Sequence, residues 1–146
     1  MSSHSSRESE IMEKSHSDPN FSEKRAETGA ASRFAEFLES RRNERHVIVL
    51  QEFPDPDAIA AGFAHQVISR HYSIETDIVY SGRISHQQNL ALVHLLGIEL
   101  TRFDESTELG GVDGAVFVDN QGTTAGPVVE ALEAGSIPTL VVVDHH

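Results

Sequence analysis

The stretch His46–Tyr80, HVIVLQEFPDPDAIAAGFAHQVISRHYSIETDIVY, decides the fold. It opens on His46–Leu50, a β-branched run of the kind that is buried on both faces of a parallel sheet. Pro54 and Pro56 interrupt the run, and Asp57 is placed to cap a helix that begins at Ala58. That helix is expected to turn Ile59, Phe63, Val67 and Ile68 toward a core. Thr76–Tyr80 then reads as a second strand, ended by Ser81-Gly82. Strand, helix and strand in this order form a parallel crossover unit.

The same alternation continues downstream. A helix is expected from about His86 to Leu96, with Leu92, Leu95 and Leu96 inward and Gly97 as its stop. A weak edge segment follows around Glu99–Phe103, and then a strong strand at Gly114–Val118 that runs into Asp119. Pro127–Ala134 reads as a helix with proline in its first turn. The last strand, Thr139–Val143, runs into Asp144-His145-His146. Upstream, Phe34, Phe37 and Leu38 mark one face of a helix running from Ala26 to about Arg45. Before it, Ser, Glu and Lys dominate without hydrophobic period, the composition of a disordered tail. The chain thus divides into a polar tail over residues 1–26 and one domain over residues 27–146. The fold class is α/β, an open, mostly parallel sheet with right-handed crossovers and helices on both faces.

Composition narrows the function. With 23 acidic residues against 11 Lys and Arg, the net charge of -12 opposes stable binding to duplex nucleic acid, which depends on basic side chains displacing counterions. The same surplus opposes attachment to an anionic membrane, and no apolar run is long enough to span one. It leaves room for a nucleotide brought in by a metal ion. The absence of cysteine removes disulfides, thiolate metal sites and a cysteine nucleophile. Without a signal peptide, a cytoplasmic location is the expectation.

The chemistry concentrates where strands end. Asp55 and Asp57 follow the first apolar strand, Asp119 follows Val118, and Asp144, His145 and His146 follow Val143. In a parallel α/β sheet these ends share one edge, and ligands bind in the crevice there. Like charges brought together repel, so a divalent cation or a pair of them is the economical counter-charge. Spaced i, i+2 in an extended loop stiffened by two prolines, Asp55 and Asp57 can point the same way. An Asp/His set without Cys suits Mn²⁺, with Mg²⁺ or Zn²⁺ as alternatives. Taken singly, each aspartate reads equally as a helix cap or turn residue, and two terminal histidines also resemble a clipped purification tag.

These residues resemble the DHH phosphoesterase family, whose members include RecJ-like exonucleases, cyclic-dinucleotide phosphodiesterases and oligoribonucleases that also dephosphorylate 3'-phosphoadenosine 5'-phosphate (pAp). The resemblance rests on Pro54-Asp55-Pro56-Asp57-Ala58-Ile59-Ala60, then Val118-Asp119, then Val143-Asp144-His145-His146, in that order. Ser81–Asn89 also looks like the segment between the first two motifs in the oligoribonuclease-like branch. The resemblance implies a Rossmann-like catalytic domain and two Mn²⁺ ions. Asp55 would bind one ion and Asp57 the other, with Asp119 bridging them and His145 a ligand of the second. Asp144 would support a ligand, and His146 would lie near the substrate phosphate. Two departures stand out. Gln51 occupies the position where the family has a histidine, and a carbonyl oxygen is a weaker ligand than imidazole. The family also continues past its third motif with a further metal-binding aspartate and a substrate-gripping domain, so the expectation is the N-terminal portion of a longer protein.

The expected activity is metal-dependent hydrolysis of a phosphodiester or phosphomonoester in a small nucleotide or a short single-stranded oligonucleotide, weak or absent in this portion alone. The competing expectation is a metal-poor nucleotide-binding or regulatory module, which Gln51 favours. A generic nucleotide-binding α/β domain would not need acids at three strand ends. Arg83 is the candidate contact to the substrate phosphate, against the alternative of a solvated loop arginine. Gly122–Gly126 would either present backbone amides to a phosphate or form a simple turn. His65, His71 and His94 read as surface or helix-end residues, His86 as a helix-start contact, and His4 and His16 as isolated tail residues. A homodimer is compatible with this reading.

Overall fold

In the computed structural model, residues 19–84, 87–118 and 126–143 are described, the side chains of 19–27 and 87–89 excepted. The described chain forms two compact units, one containing helix α1 (Pro19–Ser40) and one running from Arg41 onward. Helix α1 starts earlier than Ala26, with proline at its first position, and stops before Arg45. A turn over Arg41–Asn43, with Asn43 left-handed at φ 69°, follows it.

The second unit contains β1 (Arg45–Val49), α2 (Pro56–His71), β2 (Glu75–Tyr80), α3 (Gln87–Leu96), β3 (Leu100–Arg102), β4 (Gly114–Val118), α4 (Gly126–Ala134) and β5 (Thr139–Val143). The five strands form one sheet in the order β3-β2-β1-β4-β5. Every neighbouring pair is parallel. The chain builds outward from β1 to β3, then returns to the other side of β1 with β4 and β5. The order therefore reverses between β1 and β4, the switch point where open α/β sheets form a crevice at their carboxyl edge.

Alternation along the strands separates two cores. Val47, Val49, Val79, Ala115 and Phe117 face one side, where Val128 and Leu132 of α4 cover them. Ile48, Leu50, Ile78, Val116 and Val118 face the other, with Ile59 of α2 and Val93 of α3. Helices thus lie on both faces of the sheet. The central strands β1 and β4 are buried almost throughout, whereas β3 and β5 are partly exposed edges.

The helix faces differ from expectation. In α2 the buried stripe is Ala58, Ile59, Gly62, His65, Gln66 and Ser69, while Val67 and Ile68 are exposed and Phe63 is half-buried. Gly62 suits this rotation: a Cβ there would stand 3.0 Å from Leu50 Cδ2, a contact tight enough that Leu50 would have to give by a few tenths of an ångström. The polar members of the stripe are accommodated locally, Gln66 Nε2 donating to the Thr76 carbonyl at 3.2 Å. In α3, Leu95 and Leu96 are exposed and Leu92 is half-buried, Val93 being the residue packed on the core. Gly97, at φ 62°, ends that helix, and the Ile98 amide donates back to the Val93 carbonyl, burying Ile98 in place of the two leucines. No helix of the described residues is long and apolar enough to cross a membrane.

Candidate functional site

The carboxyl edge of the sheet is assembled from β1 outward. Pairing between β1 and β2 continues one residue past β1, the Leu50 amide donating to the Val79 carbonyl at 2.9 Å. Gln51, half-buried, follows directly, then the exposed Glu52 and Phe53 and the buried Pro54. Asp55, rather than Asp57, caps α2. Its backbone is extended (φ −86°, ψ 172°), and its Oδ1 accepts the Ala58 amide at 2.8 Å. Proline at position 56 enters the helix as its first residue, so Asp57 falls in the first turn. The extended-loop spacing expected for the two acids is therefore replaced by a cap and a first-turn residue at one helix start. Both are exposed at the start of the helix.

A second loop is pressed against the first. Gly82 follows β2 so closely against Glu52 that a Cβ would overlap the Glu52 carbonyl oxygen and lie 2.7 Å from its Cγ. Arg83, the exposed candidate phosphate contact, follows directly in the chain after this contact with Glu52. This close approach is non-local, and only the Ser81-Gly82 pair hinted at it in the sequence.

The other strands bring their own ends to this edge. Val49 lies opposite Phe117, and Val118 opposite Val143, so β1, β4 and β5 finish side by side. Asp119 follows Val118 in the chain, and Asp144, His145 and His146 follow Val143; all four lie outside the described residues. The Gly122–Ala125 part of the candidate phosphate loop and His86 lie outside them as well. Among the described residues no three His, Asp or Glu side chains form a group able to hold a metal ion.

The amino edge of the sheet carries two buried histidines, of which His65 was expected at the surface or a helix end. His65 is only 5% exposed, and burial together with the neighbouring His46 lowers its pKa from 6.5 to about 4. His46 is fully buried on β1, its Nε2 2.9 Å from Glu44 Oε1. Its strand partner in the register is Thr76. A single helix period misled here: a histidine between two alanine-rich turns reads as a solvent residue until the rotation of α2 is known. His71 and His94 are exposed, as expected.

No protein-family model matches the chain, and no solved structure matches it. An uncharacterized protein from Methanocaldococcus jannaschii is 30% identical over 94 residues, which cover 64% of this chain and 18% of that protein. The chain therefore aligns with a minor part of that relative's length.

Proposed function

We propose that this chain is the nucleotide-hydrolysing α/β domain of a metal-dependent phosphoesterase of the DHH type. One observation carries the reading: the strand order sets β1, β4 and β5 side by side and parallel, with Asp55 and Asp57 at the end of the first and acids next in the chain after the other two. A catalytic edge of this kind needs that juxtaposition, and a generic nucleotide-binding sheet does not.

The donors suit a hard divalent ion. Asp55 commits one carboxylate oxygen to the Ala58 amide, which fixes the side chain and leaves the second oxygen for a cation. Asp57 stands exposed in the first turn of the same helix, and Gln51 offers a carbonyl from the preceding loop. In this reading Asp55, Asp57, Asp119 and His145 hold two Mn²⁺ ions, with Gln51 as an auxiliary ligand and Mg²⁺ or Zn²⁺ as alternatives. Bound divalent ions supply positive charge against the phosphoryl oxygens and ease loss of a proton from the attacking water. Arg83 binds the phosphate of the substrate, Asp144 orients a ligand and His146 contacts the phosphate. The substrate is a small nucleotide or a short single strand.

Gln51 favours a second reading, a nucleotide-binding module that holds metal poorly and does not catalyse. Calorimetric titration with Mn²⁺ separates the two. Wild type is expected to bind, and Asp119→Ala to bind at least about tenfold more weakly, as loss of an ionic ligand implies. Equal affinities would remove Asp119 from the site and the phosphoesterase reading with it. Mn²⁺-dependent hydrolysis of pAp, dinucleotides and cyclic dinucleotides then assigns the substrate.

A further inference from the structure

A cavity of about 580 Å³ opens on the α4 side of the carboxyl edge, and its walls include Ser81, Phe103, Asp104, Glu105, Thr107 and Glu130. Ser81 follows β2, Phe103 and Asp104 follow β3, and Glu130 belongs to α4, so the cavity adjoins the edge where the candidate site lies. Its volume falls in the range of small-molecule sites. We propose that this cavity receives the ribose of the substrate's nucleoside, with its carboxylates accepting the sugar hydroxyls; this inference rests on the nucleotide phosphoesterase reading above.

The chemistry of the wall selects among ligands. Among the described residues of the wall there is no lysine, arginine or histidine, so a phosphate would meet carboxylates without a counter-charge from them. A metal ion is equally unsuited, because among the described residues these acids form no group able to hold one. Carboxylates and hydroxyls offer acceptors to a ligand rich in O–H donors, and Phe103 and Pro127 offer apolar surface to a sugar or base. A ribose with a vicinal diol satisfies both, as acidic residues at the strand ends of dinucleotide-binding sheets do for the same group.

Two details support the assignment. Ser81 Oγ is buried without a hydrogen-bond partner in the structure, although a buried hydroxyl is ordinarily paired. Asp104 is held in place by its own turn: Oδ1 accepts the Ser106 amide at 2.8 Å and the Ser106 hydroxyl at 2.5 Å, which also holds its carboxyl below the usual range. Its other oxygen is left for a ligand. The phosphate would then face Arg83 and the metal-holding acids while the nucleoside lies to the β2–β3 side.

Titration of the ¹⁵N-labelled chain with adenosine and with 2',3'-dideoxyadenosine, without metal, tests this. Adenosine is expected to shift the amides around Ser81, Asp104 and Glu130, with the dideoxy compound binding at least about tenfold more weakly, since hydrogen bonds to charged acceptors are lost. Glu130→Gln, at an exposed position, is expected to weaken adenosine binding and narrow that difference. Equal binding of the two nucleosides, shifts confined to other residues, or no shift at about 10 mM nucleoside, beyond the weakest useful affinity, would overturn the proposal. Because no metal or phosphate takes part, such a failure leaves the Mn²⁺ titration to judge the phosphoesterase reading separately.

Discussion

Asp55 has two roles that one pair of substitutions can separate. Its carboxylate caps α2 through the 2.8 Å bond to the Ala58 amide, and in the proposed function it holds a metal ion. Asp55→Ala removes both roles, and Asp55→Asn removes the charge while its amide oxygen still accepts the Ala58 amide. Loss of an N-cap costs about 1 kcal/mol. In a domain of this size, a change of 1 kcal/mol moves the melting temperature by roughly 4–8 °C. Thermal unfolding followed by circular dichroism should therefore place Asp55→Ala below wild type by that interval and Asp55→Asn within about 2 °C of it, asparagine being as good a cap as aspartate. Calorimetry with Mn²⁺ should place both variants together, each at least about tenfold weaker than wild type. An asparagine variant as stable as wild type that also binds Mn²⁺ as tightly would refute the reasoning, since the carboxylate would then be a helix cap and nothing more.

Three further outcomes follow from the fold. Gly82→Ala forces a Cβ into the Glu52 carbonyl and should lower the urea midpoint by the equivalent of about 1–3 kcal/mol, the range for overpacking; an unchanged midpoint would mean that the two loops are not in contact. Ile59→Ala should cost about 3 kcal/mol by emptying a buried site, while Ile68→Lys stays within about 0.5 kcal/mol; the reverse order would show that α2 is rotated otherwise. The pKa of His65 is lower in the folded chain, about 4 against 6.5, so the unfolded chain takes up the proton first as pH falls. Its contribution is present above pH 6.5, declines between 6.5 and about 4 and is gone below, amounting to about 3 kcal/mol. Urea unfolding across that interval should show a shallower pH dependence for His65→Gln than for wild type, and parallel curves would contradict the burial of a neutral imidazole.

The parts of this molecule that the sequence announces are those governed by one strand at a time. Val47–Leu50 and Ala115–Val118 are apolar at every position because a central parallel strand is covered on both faces, so their existence and direction follow from the pattern itself, whereas Leu140–Val143 carries the same pattern on an edge strand that leaves Val142 exposed. The acids after those strands could be assigned to one edge for the same reason. Which side a helix presents is a different question, settled by pairs of elements. Counting Val67 and Ile68 as core assumes that apolar surface is the whole driving force, whereas α2 turns Gly62 toward Leu50 and carries Gln66 and Ser69 inward.

The same distinction accounts for the site. Asp55 and Asp57 were legible as a pair because they are adjacent in the chain, yet their division into cap and first-turn residue depends on Pro56 taking the first helical position, where its missing N–H costs nothing. The apposition of Gly82 with Glu52 and the acidic wall formed by Asp104 with Glu130 join segments distant in sequence, and no local period encodes them. Parallel strands with a shared carboxyl edge could thus be read from the chain, and the way the loops meet above the sheet could not. A binding edge of this architecture is expected to divide in the same way: the ends of β1, β4 and β5 supply the groups that act on the phosphate, and the loops after β2 and β3 select what the phosphate is attached to.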